Sequence, residues 1–191
     1  MTSPISHAEA AASFASLLAD EKPFFDRVVQ RPQGLMRARG YRWTLTVPEV
    51  MVSAVRAVVF KEQRVIVLTE SGGTRHVMPG GGREAGESLE ATVRRELLEE
   101  CGWHVGELRQ FAFLHFEYAG PAPPADWCDF TNLIYLTEGL SYDRRRLDPT
   151  QGKVRSRLTP FKVALGALTE PHHTMLREAL SVRPPTRPSV D

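Results

Sequence analysis

Apolar residues fall into two kinds of pattern along this chain. Dense short runs from Val52 to Phe60 and from Arg64 to Glu70 predict two strands joined by a turn at Lys61 to Gln63. Ser71-Gly72-Gly73 signals a further turn, and Arg75 to Met78 predicts a short strand that delivers Pro79 and a glycine loop. Leu108 to Tyr118 and Phe130 to Leu136 predict two more strands, separated by a loop over Ala119 to Trp127 that holds Pro121, Pro123 and Pro124. The second kind of pattern is helical. Leu89 to Glu100 contains no Gly or Pro and consists mostly of good helix formers, with Ser88 as N-cap and Gly102 as the C-terminal stop. Leu89, Val93 and Leu97 lie on one side of that helix and Leu98 and Ala91 roughly opposite, so the helix reads as largely packed in. A last helix spans Thr169 to Val182, capped by Thr169, with Pro171 in its first turn and Met175, Leu176, Ala179 and Leu180 as its apolar stripe.

The flanks are less regular. Ala8 to Asp20 is alanine-rich, with Phe14, Leu17 and Leu18 at helical spacing, and Pro23 ends it. Phe24 to Gln30 is expected to form a second short helix and Tyr41 to Val47 a strand. Residues 139–157 carry Arg144, Arg145, Arg146, Lys153, Arg155 and Arg157 and read as a mobile basic loop. The tail from Pro184 is proline-rich and reads as disordered. Strands, a helix, more strands and a terminal helix predict an α/β sandwich. The expected organisation is an N-terminal extension over residues 1–47, one domain over 48–183 and a tail over 184–191.

Composition narrows the function classes. The chain has 191 residues, 42% of them hydrophobic and 25% charged, with a net charge of +1. Nothing in that balance argues for non-specific nucleic-acid or membrane-surface binding. No apolar run approaches the roughly 18 residues of a membrane span, and the N-terminus lacks a basic region followed by an apolar core, so no signal peptide is expected. Cys101 and Cys128 have no metal-type spacing, and reduced thiols in a cytoplasmic protein are the expectation.

The chemistry concentrates between Gly80 and Trp103. Gly80, Gly81, Gly82 and Gly86 form a loop that lets backbone approach a ligand closely. On the helix that follows, Glu96, Glu99 and Glu100 are three and four residues apart and share one face. Like charges at that spacing repel, and Glu99 and Glu100 lie in the last turn, where the helix dipole disfavours anions. A stripe of this kind is ordinarily a solvated face. Here it belongs to a packed helix behind a glycine loop, and a bound cation would reverse the sign of every one of these terms. Arg95, four residues before Glu99, can neutralise only part of the charge. Oxygen-only ligands are hard, so the implied ion is Mg2+ or Mn2+ rather than Zn2+.

This stretch resembles the Nudix box, G-x5-E-x7-R-E-U-x-E-E-x-G-U, where U is a bulky aliphatic residue. Gly81, Glu87, Arg95, Glu96, Leu97, Glu99, Glu100 and Gly102 fall at their places, and Trp103 departs from the pattern in the final aliphatic slot. The resemblance implies a mixed sheet between helices, a Nudix-like α/β/α sandwich, and hydrolysis of a diphosphate bond, typically in a nucleoside diphosphate linked to another group. Carried over residue by residue, it implies Glu96, Glu99 and Glu100 as metal ligands, with the Gly80 carbonyl as a further one. It also implies Arg95 and Glu87 as an ion pair that fixes loop and helix. In similar enzymes the general base is a box glutamate or an acidic residue of a downstream loop; Asp126 is the candidate here, with Glu117 and Asp129 competing.

Arg75 and Arg83 are candidate phosphate contacts, as is the basic run 144–157. Trp43, Trp127 and Phe116 can stack a base, though core packing is favoured for each. His172 and His173 lack the spacing of a ligand pair and are expected at the surface, and Cys101 is expected to be a buried small side chain. Two readings from different classes follow: a metal-dependent pyrophosphohydrolase, and a Nudix-like sensing module that binds a nucleotide without turnover. Retention of all three box glutamates favours the enzyme. Nucleoside triphosphates, nucleotide sugars and dinucleotides stay open as substrates. No membrane and no specific nucleic acid is expected as a partner, and a homodimer is an open expectation because similar proteins often dimerise.

Overall fold

The computed structural model describes residues 5–32, 34–121, 129–148 and 155–183. They form the expected α/β architecture, a mixed sheet with four α-helices among the described residues. The contacts divide the chain into two compact units, residues 1–55 with 110–134 and residues 56–109 with 135–191.

The first unit opens with α1 (His7–Leu18). Ser6 caps it reciprocally: the Glu9 N–H donates to Ser6 Oγ at 3.3 Å and the Ser6 N–H donates to Glu9 Oε2 at 2.9 Å. Ala10, Phe14 and Leu18, four residues apart, are its buried face. The helix expected over Phe24 to Gln30 is instead a strand, β1 (Phe25–Arg31), in an antiparallel hairpin with β2 (Gly34–Arg42). The strand expected over Tyr41 to Val47 lies earlier, ending at Arg42. Strand β2 pairs antiparallel with β8 (Arg109–Tyr118), from Met36↔Tyr118 to Arg42↔Ala112. The core of this unit is aromatic. Tyr41 stacks on Phe113 at 5.3 Å, Phe14 lies 5.6 Å from the same ring, and Phe116 stacks on Phe130 at 4.9 Å. Phe130 opens β9 (Phe130–Tyr142), which extends beyond the expected Leu136.

The second unit carries the glycine loop. Strand β3 (Val52–Lys61) and β4 (Arg64–Thr69) flank the expected turn, with Phe60 opposite Val65. β5 (Arg75–His76) pairs with β4, and β6 (Gly80–Gly81) with β3. Next comes α2 (Leu89–Cys101), begun and ended where the sequence predicts. The Ala91 N–H donates to Ser88 Oγ at 3.2 Å, and Gly102 takes a left-handed φ of 72° while its N–H reaches the Leu97 and Leu98 carbonyls. Val93 and Leu97 are fully buried, each worth about 1.5–3 kcal/mol of apolar burial. Ala91 is exposed and Leu98 half-buried, so α2 packs on one side rather than on two.

Strand β7 (Trp103–Val105) pairs antiparallel with the end of β9. The described parts of the expected basic loop take regular structure instead. Arg144–Arg146 form a 3-10 turn, and β10 (Arg155–Pro160) pairs antiparallel with β4; residues 149–154 lie outside the described residues. A helix that the sequence pattern did not predict, α3 (Phe161–Ala167), follows. α4 (His172–Val182) starts three residues later than expected, with Pro171 rather than Thr169 at the N-cap position. The tail from Pro184 lies outside the described residues. Among the described residues no helix is long and apolar enough to cross a membrane.

Candidate functional site

The acidic face of α2 is organised by one guanidinium. Arg95 Nε and Nη2 donate to Glu87 Oε1 and Oε2 at 2.8 and 3.1 Å, a two-pronged grip. Nη1 donates to Glu96 Oε1 at 2.8 Å and to Glu99 Oε2 at 3.0 Å, and Nη2 also reaches the Gly82 carbonyl at 3.1 Å. Loop, helix and two of the three stripe carboxylates therefore meet on one side chain. The Arg95 guanidinium holds the Glu87 carboxyl down at about 2, helped by the Glu84 N–H and the Thr92 hydroxyl; in return Glu87, and then Glu96 and Glu99, raise Arg95.

The third carboxylate is held from the loop. The Gly80 N–H donates to Glu100 Oε2 at 2.8 Å. Gly80 is itself placed by β3. The Arg56 guanidinium donates to the Met78 carbonyl at 2.9 Å, and the Ala57 N–H to the Pro79 carbonyl at 3.0 Å. Burial pushes the Glu100 carboxyl up; the Gly80 N–H and Arg56 pull it back, while Glu96 and Glu99 push it further. A Cβ on Gly81 would stand 2.5 Å from Glu96 Oε1, so a side chain there must displace the Glu96 carboxylate. Glu96 is buried; Glu99 and Glu100 are half-buried.

This donor set fits a hard divalent cation. Arg95 and Gly80 occupy one oxygen of each of the three carboxylates, and each carboxylate has a second. The burial that makes Glu100 costly as a lone anion is the condition a cation relieves.

The other predicted positions are placed as follows. Arg75 is exposed in β5, and Arg83 is exposed in the loop leading to α2. Asp126 and Trp127 lie outside the described residues. Glu117 and Asp129 belong to the first unit, where both lie with buried His115, a residue the sequence reading passed over. The signal was there: the His-x-Glu alternation of β8 puts His115 and Glu117 on one face. Phe116 is core, stacked on Phe130, and Trp43 is half-buried, its backbone N–H donating to the Phe111 carbonyl at 3.0 Å. His172 and His173 are half-buried; the His172 ring lies 5.6 Å from His76 and His173 Nδ1 lies 3.5 Å from Glu170. Cys101 is buried, and burial pushes its thiol up. The basic segment docks on the end of α2 through backbone: the Asp143 N–H donates to the Gly102 carbonyl at 2.8 Å and the Asp148 N–H to the Glu99 carbonyl at 3.0 Å.

Residues 51–178 match the family model described as NUDIX domain. No curated protein matches the chain. Among solved structures, a NUDIX hydrolase from Nitrosomonas europaea is similar over 68% of this chain and 88% of its own, at 18% identity and a TM-score of 0.53. The Bacillus subtilis pyrophosphohydrolase BsRppH is similar over 70% of this chain and 77% of its own, at 12% identity and a TM-score of 0.51. The NUDIX domain of Shewanella oneidensis NrtR, complexed with ADP ribose, is similar over 70% of this chain and 89% of its own, at 20% identity and a TM-score of 0.52. At such identities the likeness is one of fold.

Proposed function

The chain belongs to the NUDIX family, and we propose that it is a Mg2+- or Mn2+-dependent pyrophosphohydrolase. Its substrate class is a nucleoside diphosphate linked to another moiety: a nucleotide sugar, a dinucleotide or a nucleoside triphosphate. The observation that carries this reading is the Arg95 clamp, which orients Glu96 and Glu99 while Gly80 orients Glu100.

In this reading Glu96, Glu99 and Glu100 hold the cation, with the Gly80 carbonyl as a further ligand. When bound, a divalent cation neutralises phosphoryl charge and acidifies water. Phosphoryl transfer asks the protein mainly for positioning and charge neutralisation. Glu87 keeps Arg95 in place, and Arg95 keeps two carboxylates from turning to solvent. Arg75 and Arg83 are assigned to the phosphates, and a downstream acid, Asp126 first, to accepting the proton of the attacking water.

The test is hydrolysis of a panel of nucleoside diphosphate derivatives with Mg2+, with Mn2+ and with chelator, in wild type and Glu99→Gln. Turnover is expected only with metal, and Glu99→Gln is expected to lower kcat/KM roughly a hundredfold, the scale of losing one electrostatic contact to the transition state. Nucleotide binding with no turnover of any panel member would replace the hydrolase by the sensing module.

Gly81→Ala probes the same site differently. Its Cβ would collide with the Glu96 carboxylate and turn it out of the Arg95 grip. The metal concentration for half-maximal activity is expected to rise about tenfold or more, with an unchanged circular dichroism spectrum.

A further inference from the structure

The first unit holds a second convergence of metal-ligating groups, built from residues outside the glutamate stripe. Strand alternation puts Phe113, His115 and Glu117 on one face of β8, and Asp129 immediately precedes β9. His115 is 1% exposed, and its Nε2 lies 2.8 Å from Asp129 Oδ1. One ligand atom from each of His115, Glu117 and Asp129 falls within 4.8 Å of the others.

We propose that His115, Glu117 and Asp129 form a site for a divalent transition metal of the Zn2+ type.

Four observations carry this. The first is burial: a polar ring at 1% exposure needs a reason to be inside. The second is that the ring makes its polar bond inside the cluster: Nε2 meets Asp129, while Nδ1 is buried with no hydrogen-bond partner among the described residues and carries the ring proton when Nε2 takes a cation. The Phe14 ring packs edge-on against it at 5.7 Å and sets its plane while Nε2 is aimed at the carboxylates.

The third is charge. Arg39, opposite His115 in the β2–β8 register, pairs with Glu117. Arg37, opposite Glu117 in the same register, is taken up by Asp26, which leaves the Glu117 and Asp129 carboxylates with the Arg39 guanidinium beside the imidazole. A cation on His115 and Asp129 offsets the second carboxylate, with Glu117 shared between Arg39 and the metal. The fourth is donor chemistry. One imidazole nitrogen with two carboxylates is a mixed set that suits Zn2+ better than Mg2+, and three protein ligands leave a fourth position open to water or a phosphate oxygen. Ligand atoms on one tetrahedral ion, with bonds of about 2.1 Å, stand roughly 3.4 Å apart. Closing from 4.8 Å is within reach of the Glu117 side chain.

The experiment is Zn2+ titration of the full chain in saturating Mg2+, read by calorimetry and by the ring-nitrogen resonances of 15N-histidine-labelled protein. His115→Gln assigns the His115 signals among the 6 histidines. Zn2+ is expected to move the His115 Nε2 resonance with one equivalent bound. Asp129→Asn, at a partly exposed position, is expected to weaken that binding at least about tenfold with an unchanged circular dichroism spectrum; Glu99→Gln is expected to leave it intact. A His115 ring that Zn2+ leaves unmoved overturns the proposal, and so does Zn2+ binding that survives Asp129→Asn unchanged. Binding lost in Glu99→Gln instead would place the ion on the glutamate stripe and overturn it equally. The bond between His115 and Asp129 would then be a plain imidazole–carboxylate contact.

Discussion

Glu100→Gln is expected to erase the thermal stabilisation that Mg2+ or Mn2+ gives this protein without making the metal-free protein less stable. Glu100 is a half-buried anion beside two others, and burial raises its carboxyl against the pull of Gly80 and Arg56. Gln keeps an oxygen for the Gly80 N–H, now 2.8 Å from Oε2, and removes the charge. Relief of like-charge repulsion, worth a few tenths of a kcal/mol per pair, offsets the weaker hydrogen bond. The metal-bound state behaves in the opposite way. A ligand that binds only the folded protein stabilises it by about 2.7 kcal/mol at a hundred times its Kd, a rise in Tm of roughly 5–10 °C for a chain of this size. Melting curves of both proteins, with chelator and with metal, check the two halves together. If Glu100→Gln melts several degrees below wild type in chelator, the carboxylate is a structural anchor and the metal reading of this helix fails.

What the sequence showed and what it hid divide along the range of the interactions involved. The ends of α2 were legible because Ser88 and Gly102 act on backbone within a turn of themselves. The glutamate stripe was legible because a period of 3.6 places Glu96, Glu99 and Glu100 together whatever surrounds them. Phe24 to Gln30 was read as a helix because only hydrogen bonding to β2 makes it a strand. The Arg155–Pro160 strand was hidden by its arginines, which mark the edge where β10 meets the apolar run of β4. The bond from Gly80 to Glu100 joins residues twenty apart, and the one from His115 to Asp129 joins residues fourteen apart. Neither has a local signal. The bond from the Arg56 side chain to the Met78 carbonyl joins residues twenty-two apart and has no local signal either.

Arg95→Lys is expected to lower kcat/KM by about 10- to 100-fold, the usual cost of losing a group that orients metal ligands, with the loss falling on kcat more than on KM. The guanidinium fork serves Glu87, Gly82, Glu96 and Glu99 at once; a single ammonium cannot span them, though it preserves the charge. Charge alone therefore does not rescue the site, which separates orientation from simple neutralisation. Glu87→Gln tests the other end of the same grip through pH. Arg95, the Glu84 N–H and Thr92 depress the folded Glu87 carboxyl to about 2, below the ordinary value of about 4.3 in an unfolded chain. The folded state thus releases this proton more readily than the unfolded state. The pair stabilises the protein fully above the unfolded value, and that contribution is lost as pH falls from there toward 2. Denaturant midpoints of wild type and Glu87→Gln are expected to differ by a constant amount above about pH 6 and to converge as the pH is lowered from 5 to 3. A difference that stays flat across this range would mean that Glu87 holds the loop by shape rather than by charge. Arg95 would then orient the stripe without depending on its anchor.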